Sequence, residues 1–321
     1  MKYGYYPGCS LEKNAIAYHQ SAMAIAPAFE LEFAEVDDWN CCGATEYFSI
    51  NAIPAYALVG RNLALAAQQK LNGNGQQLVA PCSACFLNLK KTDHYMHESA
   101  DLNAKVNQAL AAGGLHYDPG SVEVRHLLDI FVNDIGFDAI AEKVTHPLYN
   151  LQVAAYYGCL VTRPAKIESF DSPEYPTSLD TMMQKLGATV VDFPLKAHCC
   201  GGHMTQISED VALELIRRLL KNAADYDADV IVTLCPMCQF NLDAYQDAVN
   251  KKFGTKYKIP ILYFTQMIGL ALGIKPKALG FGKELISAKA ALAKIGVKAP
   301  KKPKKKRPPK EALPMPKRKE G

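Results

Sequence analysis

Tryptophan is nearly absent from this chain: Trp39 is the only one in 321 residues. No stretch is long and apolar enough to cross a bilayer. The longest mostly apolar segment, Ile261 to Ile274, holds Thr265 and Gln266 and falls short of the roughly 20 residues a spanning helix needs. The opening residues, Met1 to Ser10, carry no apolar run, so no signal peptide is expected. A reducing, cytoplasmic setting is expected instead, where thiols bind metals or do redox work more often than they form structural disulfides. No G-x-G-x-x-G follows a strand pattern and no P-loop is present, so neither flavin, nicotinamide nor ATP is expected in this chain.

Basic excess is also missing from the body, although the whole chain has a net charge of +4. Residues Lys298 to Gly321 hold 11 Lys and Arg against 2 Asp and Glu, a net of +9. The other 297 residues hold 25 basic and 30 acidic side chains, a net of −5. The basic sign therefore belongs to a lysine- and proline-rich tail with nothing to bury, which is expected to be disordered when free. Nucleic-acid binding is not expected, because the body is acidic and no reading module is visible. An acidic partner or an anionic membrane surface suits the tail better.

What the chain does have is cysteine in a repeated arrangement. All ten cysteines fall into two sets of five. The first is Cys9, 31 residues, the vicinal pair Cys41-Cys42, 39 residues, then Cys82 and Cys85. The second is Cys159, 39 residues, Cys199-Cys200, 34 residues, then Cys235 and Cys238. The repeat extends outward. Tyr5-Tyr6 before Gly8-Cys9 answers Tyr156-Tyr157-Gly158-Cys159, both vicinal pairs run into glycine, and both C-x-x-C pairs are followed by Asn-Leu. A duplication of this length implies two copies of one domain with a pseudo-two-fold relation.

Each copy reads as alternating strands and helices. Leu78 to Ala80 and Val230 to Val232 are short apolar runs suited to buried parallel strands, and each ends at its C-x-x-C. Helical periodicity precedes each: Tyr56, Val59, Leu63, Ala67 and Leu71 in one copy, Leu213, Ile216, Leu220 and Ala223 in the other. Asn51 and Ser208 are candidate N-caps. Segments 122–135 and 260–274 look like matching strand-then-helix endings. The expected architecture is α/β: two duplicated Rossmann-like domains with small, mostly parallel sheets, over residues 1–147 and 148–275. An extension over 276–321 follows, with a weak amphipathic helix at Leu279 to Gly296 and then the tail. Ligands in such sheets sit beyond the carboxyl ends of the strands, where Cys9, Cys82, Cys159 and Cys235 fall.

Five thiolates per set is one more than a closed tetrahedral zinc site takes. Zinc in both halves, zinc in one half beside a cluster in the other, and iron–sulfur clusters in both halves are the competing readings. Soft thiolates bind iron well, and two neighbouring thiolates reach two nearby irons more naturally than separate corners of one cubane.

The doubled C…CCG…C-x-x-C pattern, with its Tyr-Tyr-Gly-Cys, Cys-Cys-Gly-Gly and Leu-Tyr-Phe-Thr-Gln surroundings, resembles the cysteine-rich (CCG) domain family. Within it the similarity is to the catalytic, B-type chain of heterodisulfide reductases, over about residues 1–275. The resemblance implies two noncubane [4Fe-4S] clusters, one held by Cys9, Cys41, Cys42, Cys82 and Cys85, the other by Cys159, Cys199, Cys200, Cys235 and Cys238. It implies a disulfide bound between them, reduced by paired one-electron steps or formed from two thiols in reverse. It also implies partners: an iron–sulfur protein with ordinary [4Fe-4S] clusters and, through it, a flavoprotein. Similar doubled domains occur in unusual succinate dehydrogenases and other quinone-linked membrane complexes. There Leu279 to Gly296 would lie peripherally in a membrane interface. A zinc-stabilised scaffold without catalysis is the third reading.

Beyond the cysteines, His198 and His203 flank the second vicinal pair and are candidate proton donors. Arg163, Lys166 and Lys196 are candidates for holding an anionic substrate. Trp39 is expected to shield the first site. His94, His97, His116 and His126 show no ligand spacing and are taken as structural or exposed.

Overall fold

We analysed a computed structural model that describes residues 1–44, 47–69, 76–167 and 170–296. The basic tail beyond 296 lies outside the described residues. Eight short strands form two separate four-stranded sheets: β1 (Lys2–Tyr5), β2 (Glu32–Glu35), β3 (Gln77–Ala80) and β4 (Glu123–His126), then β5 (Gln152–Tyr156), β6 (Thr189–Val190), β7 (Val230–Thr233) and β8 (Ile261–Tyr263). Their orders are β2-β1-β3-β4 and β6-β5-β7-β8, and every pairing is parallel. The two sheets therefore share one topology, and the expected duplicated α/β architecture is the one observed.

The central strands are apolar because helices cover both faces. Leu78, Val79 and Ala80 are fully buried, as are Val230, Ile231 and Val232. The expected helices run Ala52–Gln69 and Glu209–Asp225. Ser208 does stand at an N-cap position, but its side chain makes no capping hydrogen bond. Two acidic residues in the first turn, Glu209 and Asp210, suit the positive end of that helix dipole instead. The matched endings differ in one respect. After β8 comes the α-helix Phe264–Ala271, whereas after β4 the chain turns through Leu127–Asp129 and then winds as a π-helix over Ile130–Ile135.

In each sheet the order reverses between the first and third strands, and a crevice opens there beyond the carboxyl ends. Cys9 follows β1 and Cys82 follows β3. Cys159 and Cys235 stand at the same places after β5 and β7. The topology alone brings the first and fourth cysteines of each set together.

The two halves are not beads on a string. One hydrophobic core runs through both, from Tyr5, Ile25, Phe29 and Phe131 to Val153, Ile231, Phe264 and Met267. A smaller cluster around Val59, Leu63, Leu78 and Leu89 belongs to the N-terminal half. Helix Ile16–Ile25 packs on helix Phe264–Ala271, and their contact includes buried polar atoms. Ser21 and Thr265, both fully buried, share a hydrogen bond of 2.6 Å. The rings of Tyr18 and Tyr263 stack at 4.4 Å, and Tyr18 donates to the carbonyl of Leu234, the residue before Cys235.

The halves also differ. The C-terminal half has no helix in the place of Ile16–Ile25. Its segment after Cys159 is irregular, includes a cis Arg163–Pro164 bond, and carries Phe170 against His126 of the other half. The expected amphipathic helix over Leu279 to Gly296 is not formed. Only Lys289–Leu292 is helical there, after a 3₁₀ turn over Pro276–Leu279. The intervening backbone is held by Asp243, which accepts from the amides of Leu285 and Ile286, and Leu279 is buried under Gln266. A buried carboxylate fixes this strap in place of helical periodicity.

Replacing Ser21 by Ala should leave the Thr265 hydroxyl buried without a partner and cost on the order of 1–3 kcal/mol. The double change Ser21→Ala with Thr265→Val should recover much of that loss, because both polar groups then disappear together. Thermal melting of the three variants measures both. Additive losses would show that the two hydroxyls do not couple the halves.

Candidate metal centres

The cysteine sites are built from two kinds of loop. The first is the strand-to-helix turn at each C-x-x-C. Cys82 and Cys235 occupy the N-cap positions of helices Ser83–Glu98 and Pro236–Ala244, and Cys85 and Cys238 lie in their first turns. Helix N-termini favour negative charge, so both turns suit thiolates. The second is the vicinal-cysteine loop. In each half one asparagine pins it. Asn88 donates to the carbonyls of Cys42 and Ala44, and Asn241 donates to those of Cys200 at 3.2 Å and Gly202 at 2.7 Å. Asn88 and Asn241 each stand three residues after the last cysteine of their set. They are functional positions that a list of metal-binding residue types misses, and their signal in the sequence is the shared Asn-Leu.

The sulfurs of each set are strung together. Cys9 meets Cys41 at 3.5 Å, Cys42 meets Cys85 at 3.5 Å, and Cys41 also interacts with Cys42 and Cys82 with Cys85. The second set repeats the string through Cys159, Cys199, Cys200, Cys238 and Cys235. The two strings meet where Cys82 touches Cys235 across the halves. Cys42, Cys82, Cys85, Cys200, Cys235 and Cys238 are buried, whereas Cys9, Cys41 and Cys199 reach the surface. Among the described residues no three His, Cys, Asp or Glu groups are disposed around a single metal ion.

Electrostatics follow the same symmetry. The first cysteine of each vicinal pair is the thiolate-prone one. Cys41 is pushed well below the ordinary thiol value by hydrogen bonds from Cys42 and Cys9, with the Gly43 amide adding to them. Cys199 is lowered by Cys159 and Cys200, and the Gly201 amide donates to its sulfur at 3.3 Å. Their string neighbours Cys9 and Cys159 move the opposite way, because donating to a thiolate and being buried both favour the thiol.

Space around the strings is reserved for a large group. Gly8 has φ +72° and Gly158 φ +74°, a region open to glycine, and a Cβ on either would stand 2.9 Å from a sulfur of its own set, Cys85 or Cys238. Five converging thiols, some thiolate-prone, with backbone stripped of side chains beside them, fit an iron–sulfur cluster in each half.

Surroundings differ between the halves. The first site opens into a shallow bowl lined by Glu12, Glu35, Asp37, Asp38 and Trp39 beside Cys9 and Cys41. Trp39 packs edge-on to Tyr6 at 5.4 Å and donates to Glu35, so it covers part of that site while remaining half-exposed. The second site opens into a small apolar cavity lined by Tyr157, Leu160 and Met237 with Cys159, Cys199 and Cys235, and Ser83 and Ala84 of the other half close it.

His203 lines this cavity and its charge bears on Cys41 of the other half, so it stands near both sites. His198 is exposed and touches the site only through its backbone, whose carbonyl accepts from Tyr156 at 2.7 Å. The three basic candidates are all committed elsewhere. Lys196 is buried against Asp180 at 2.6 Å, Arg163 binds the Pro173 carbonyl and Glu174, and Lys166 reaches Glu98. The expectation that they hold an anionic substrate is therefore not supported by their positions: burial and pairing consume their charge. His94 and His116 pair with Glu98 and Asp118, and His97 is exposed. His126 is the exception among the histidines set aside, for it is fully buried beside the joint of the two strings.

The profile of the cysteine-rich CCG domain matches the chain twice, at residues 3–90 and 153–243. The 8-methylmenaquinol:fumarate reductase membrane anchor subunit of Wolinella succinogenes is 36% identical over 287 residues, 89% of this chain and 98% of that protein. The B chain of the ferredoxin/F420H2-dependent CoB-CoM heterodisulfide reductase of Methanosarcina acetivorans is 30% identical, across 92% of this chain and 97% of that protein. A protein of Archaeoglobus profundus described as similar to the heterodisulfide reductase B chain is 28% identical across 86% of this chain and 92% of that protein. Among solved structures, a hypothetical protein from Helicobacter pylori shares the fold with a TM-score of 0.70 and 15% identity. The match covers 89% of this chain and about half of that one, 52%. Among the described residues no helix is long and apolar enough to cross a membrane.

Because each half carries a full set, Cys42→Ala should empty only the N-terminal site and Cys200→Ala only the C-terminal one, read as half the iron remaining in each. Loss of all iron from either single variant would mean that ligands are shared across the joint. Gly158→Ala should also lower iron in the C-terminal half, since the new methyl group stands where the Cys238 sulfur must approach. Full iron in Gly158→Ala would contradict the packing described.

Proposed function

The chain belongs to the cysteine-rich CCG domain family, of which it carries two copies, and from that premise we propose that it is the redox chain of a heterodisulfide-reductase-like complex. The single observation that carries this is the meeting of two equivalent five-thiol strings at Cys82 and Cys235. In this proposal all ten cysteines are ligands of two noncubane [4Fe-4S] clusters, five to each. Such clusters, when bound, pass single electrons, and two together supply the pair of electrons that cleaving a disulfide takes.

The chain's own side chains do the rest. Tyr157, Leu160 and Met237 keep water from the C-terminal site. Asn88 and Asn241 hold the vicinal loops so that both cysteines of each pair stay on one side. His203 stands where a proton could be handed to a departing thiolate. Electrons enter and leave through a partner, because nothing in the sequence binds flavin or nicotinamide. That partner is proposed to be a protein with ordinary [4Fe-4S] clusters, linked in turn to a flavoprotein, in the cytoplasm or at the inner face of a membrane.

A second reading differs in the oxidant. The 36% identity to a chain of a fumarate reductase over nearly its whole length, with an apolar cavity whose nearby basic groups are paired away, favours a quinone-linked complex. Such a cavity suits an uncharged substrate better than one bearing sulfonate or phosphate groups. Both readings share the two clusters and the need for a partner.

Anaerobically purified protein should hold about eight irons per chain, as two four-iron clusters. Zinc in place of iron would sink both readings. With its partner proteins present, reoxidation of the reduced clusters by a thiol disulfide but not by a menaquinone analogue supports the first, and the reverse supports the second.

A further inference from the structure

His126 is the last residue of β4 in the N-terminal half, the position that Tyr263 occupies after the duplication. It has no accessible surface. Phe86 of its own half lies edge-on to its ring at 5.6 Å, and Phe170 of the other half lies parallel to it at 6.5 Å. The imidazole is thus sealed into the seam between the halves. Burial pushes its pKa down to about 4, so it is neutral at physiological pH.

Its tautomer is set by one bond. The backbone amide of Leu128 donates to Nδ1 at 3.1 Å, so Nδ1 carries the lone pair and Nε2 carries the proton. Nε2 is buried and meets no partner in good hydrogen-bond geometry. The polar groups that act on the ring are the Cys235 sulfur, Asp129, and the carbonyls of Pro81 and Leu234, the residues immediately before Cys82 and Cys235. Asp129 lies on the chain turn after His126 and is engaged by Arg125 at 2.7 Å. A buried N–H left without an acceptor costs on the order of 1–3 kcal/mol, and an apolar side chain would avoid that cost. An unsatisfied donor fixed by a tautomer at the joint of two metal-binding loops points to an acceptor that arrives with the metal.

We propose that His126 is a positioning residue for the C-terminal iron–sulfur site, acting from the N-terminal half by presenting its Nε2–H to the sulfur of Cys235. This rests on the reading of the ten cysteines as ligands of two clusters. A donor aimed at a ligand sulfur withdraws electron density from the cluster and favours its reduced form, so it raises the reduction potential. The C-terminal half offers no equal return. Tyr263, in the matching place, spends its hydroxyl on Gln239 at 3.2 Å and its ring on Tyr18. The two clusters, alike in ligands, are thereby given unlike potentials by one non-ligating residue.

The test is an anaerobic redox titration followed by electron paramagnetic resonance, on full-length protein with iron content measured in each sample. Cys200→Ala assigns which signal belongs to which half. His126→Phe should lower the midpoint potential of the C-terminal cluster more than that of the N-terminal one. His126→Gln, whose amide reaches the place of Nε2, should stay nearer to the native potential than His126→Asn, whose amide reaches only the place of Nδ1. Should the Phe variant fail to fold, the Gln and Asn pair decides alone. Equal shifts in both clusters, no shift, or Gln and Asn variants alike would overturn the proposal. Native protein lacking two iron signals would instead overturn the cluster reading on which it rests.

Discussion

Sulfur packing is the constraint to which the rest of this fold answers. Five thiols per half must approach one another without backbone or side chains between them. That requires glycine at Gly8 and Gly158, where a Cβ would meet a sulfur at 2.9 Å. It requires an asparagine in each half to hold the vicinal loop down. It requires parallel strands, because their carboxyl ends deliver the first and fourth cysteines of each set to one crevice. A duplicated sheet of order 2-1-3-4 supplies this twice, and the shared core presses the two crevices together until Cys82 meets Cys235.

Much of this is legible in the sequence, for physical reasons. Cysteine spacing survives duplication because the strand, turn and helix lengths between ligands are fixed by the fold. The strands at Leu78 and Val230 announce themselves because both their faces are covered, so every residue must be apolar. The edge strands β2 and β6 carry no such signal, since they are short and half-exposed. The strap over residues 280–288 imitates part of a helix in sequence because what holds it is one distant carboxylate, Asp243, rather than its own periodicity. His126 is silent in the sequence for a similar reason. Its importance lies in a seam that only the packing of the halves creates, and no spacing to a cysteine could reveal it. The basic side chains mislead in the opposite sense: Lys196 stands beside the second site in sequence, yet its charge is consumed by Asp180.

Duplication gave the two halves equal ligands, but their surroundings have diverged. The first site faces an open bowl of four carboxylates, and the second faces an apolar cavity closed by residues of both halves. A helix covers one side of the pseudo-two-fold axis and an irregular segment the other. Unlike environments around like ligands are the ordinary means by which proteins give two clusters different tasks.

The central claim is that each half holds its own cluster and that the two face each other across the Cys82–Cys235 joint. Anomalous diffraction at the iron edge, from crystals grown without oxygen, tests it most directly. Two iron centres should appear, each inside its own five sulfurs, with Cys82 and Cys235 on the sides that face each other. A single centre, or one drawing ligands from both halves, would contradict the account.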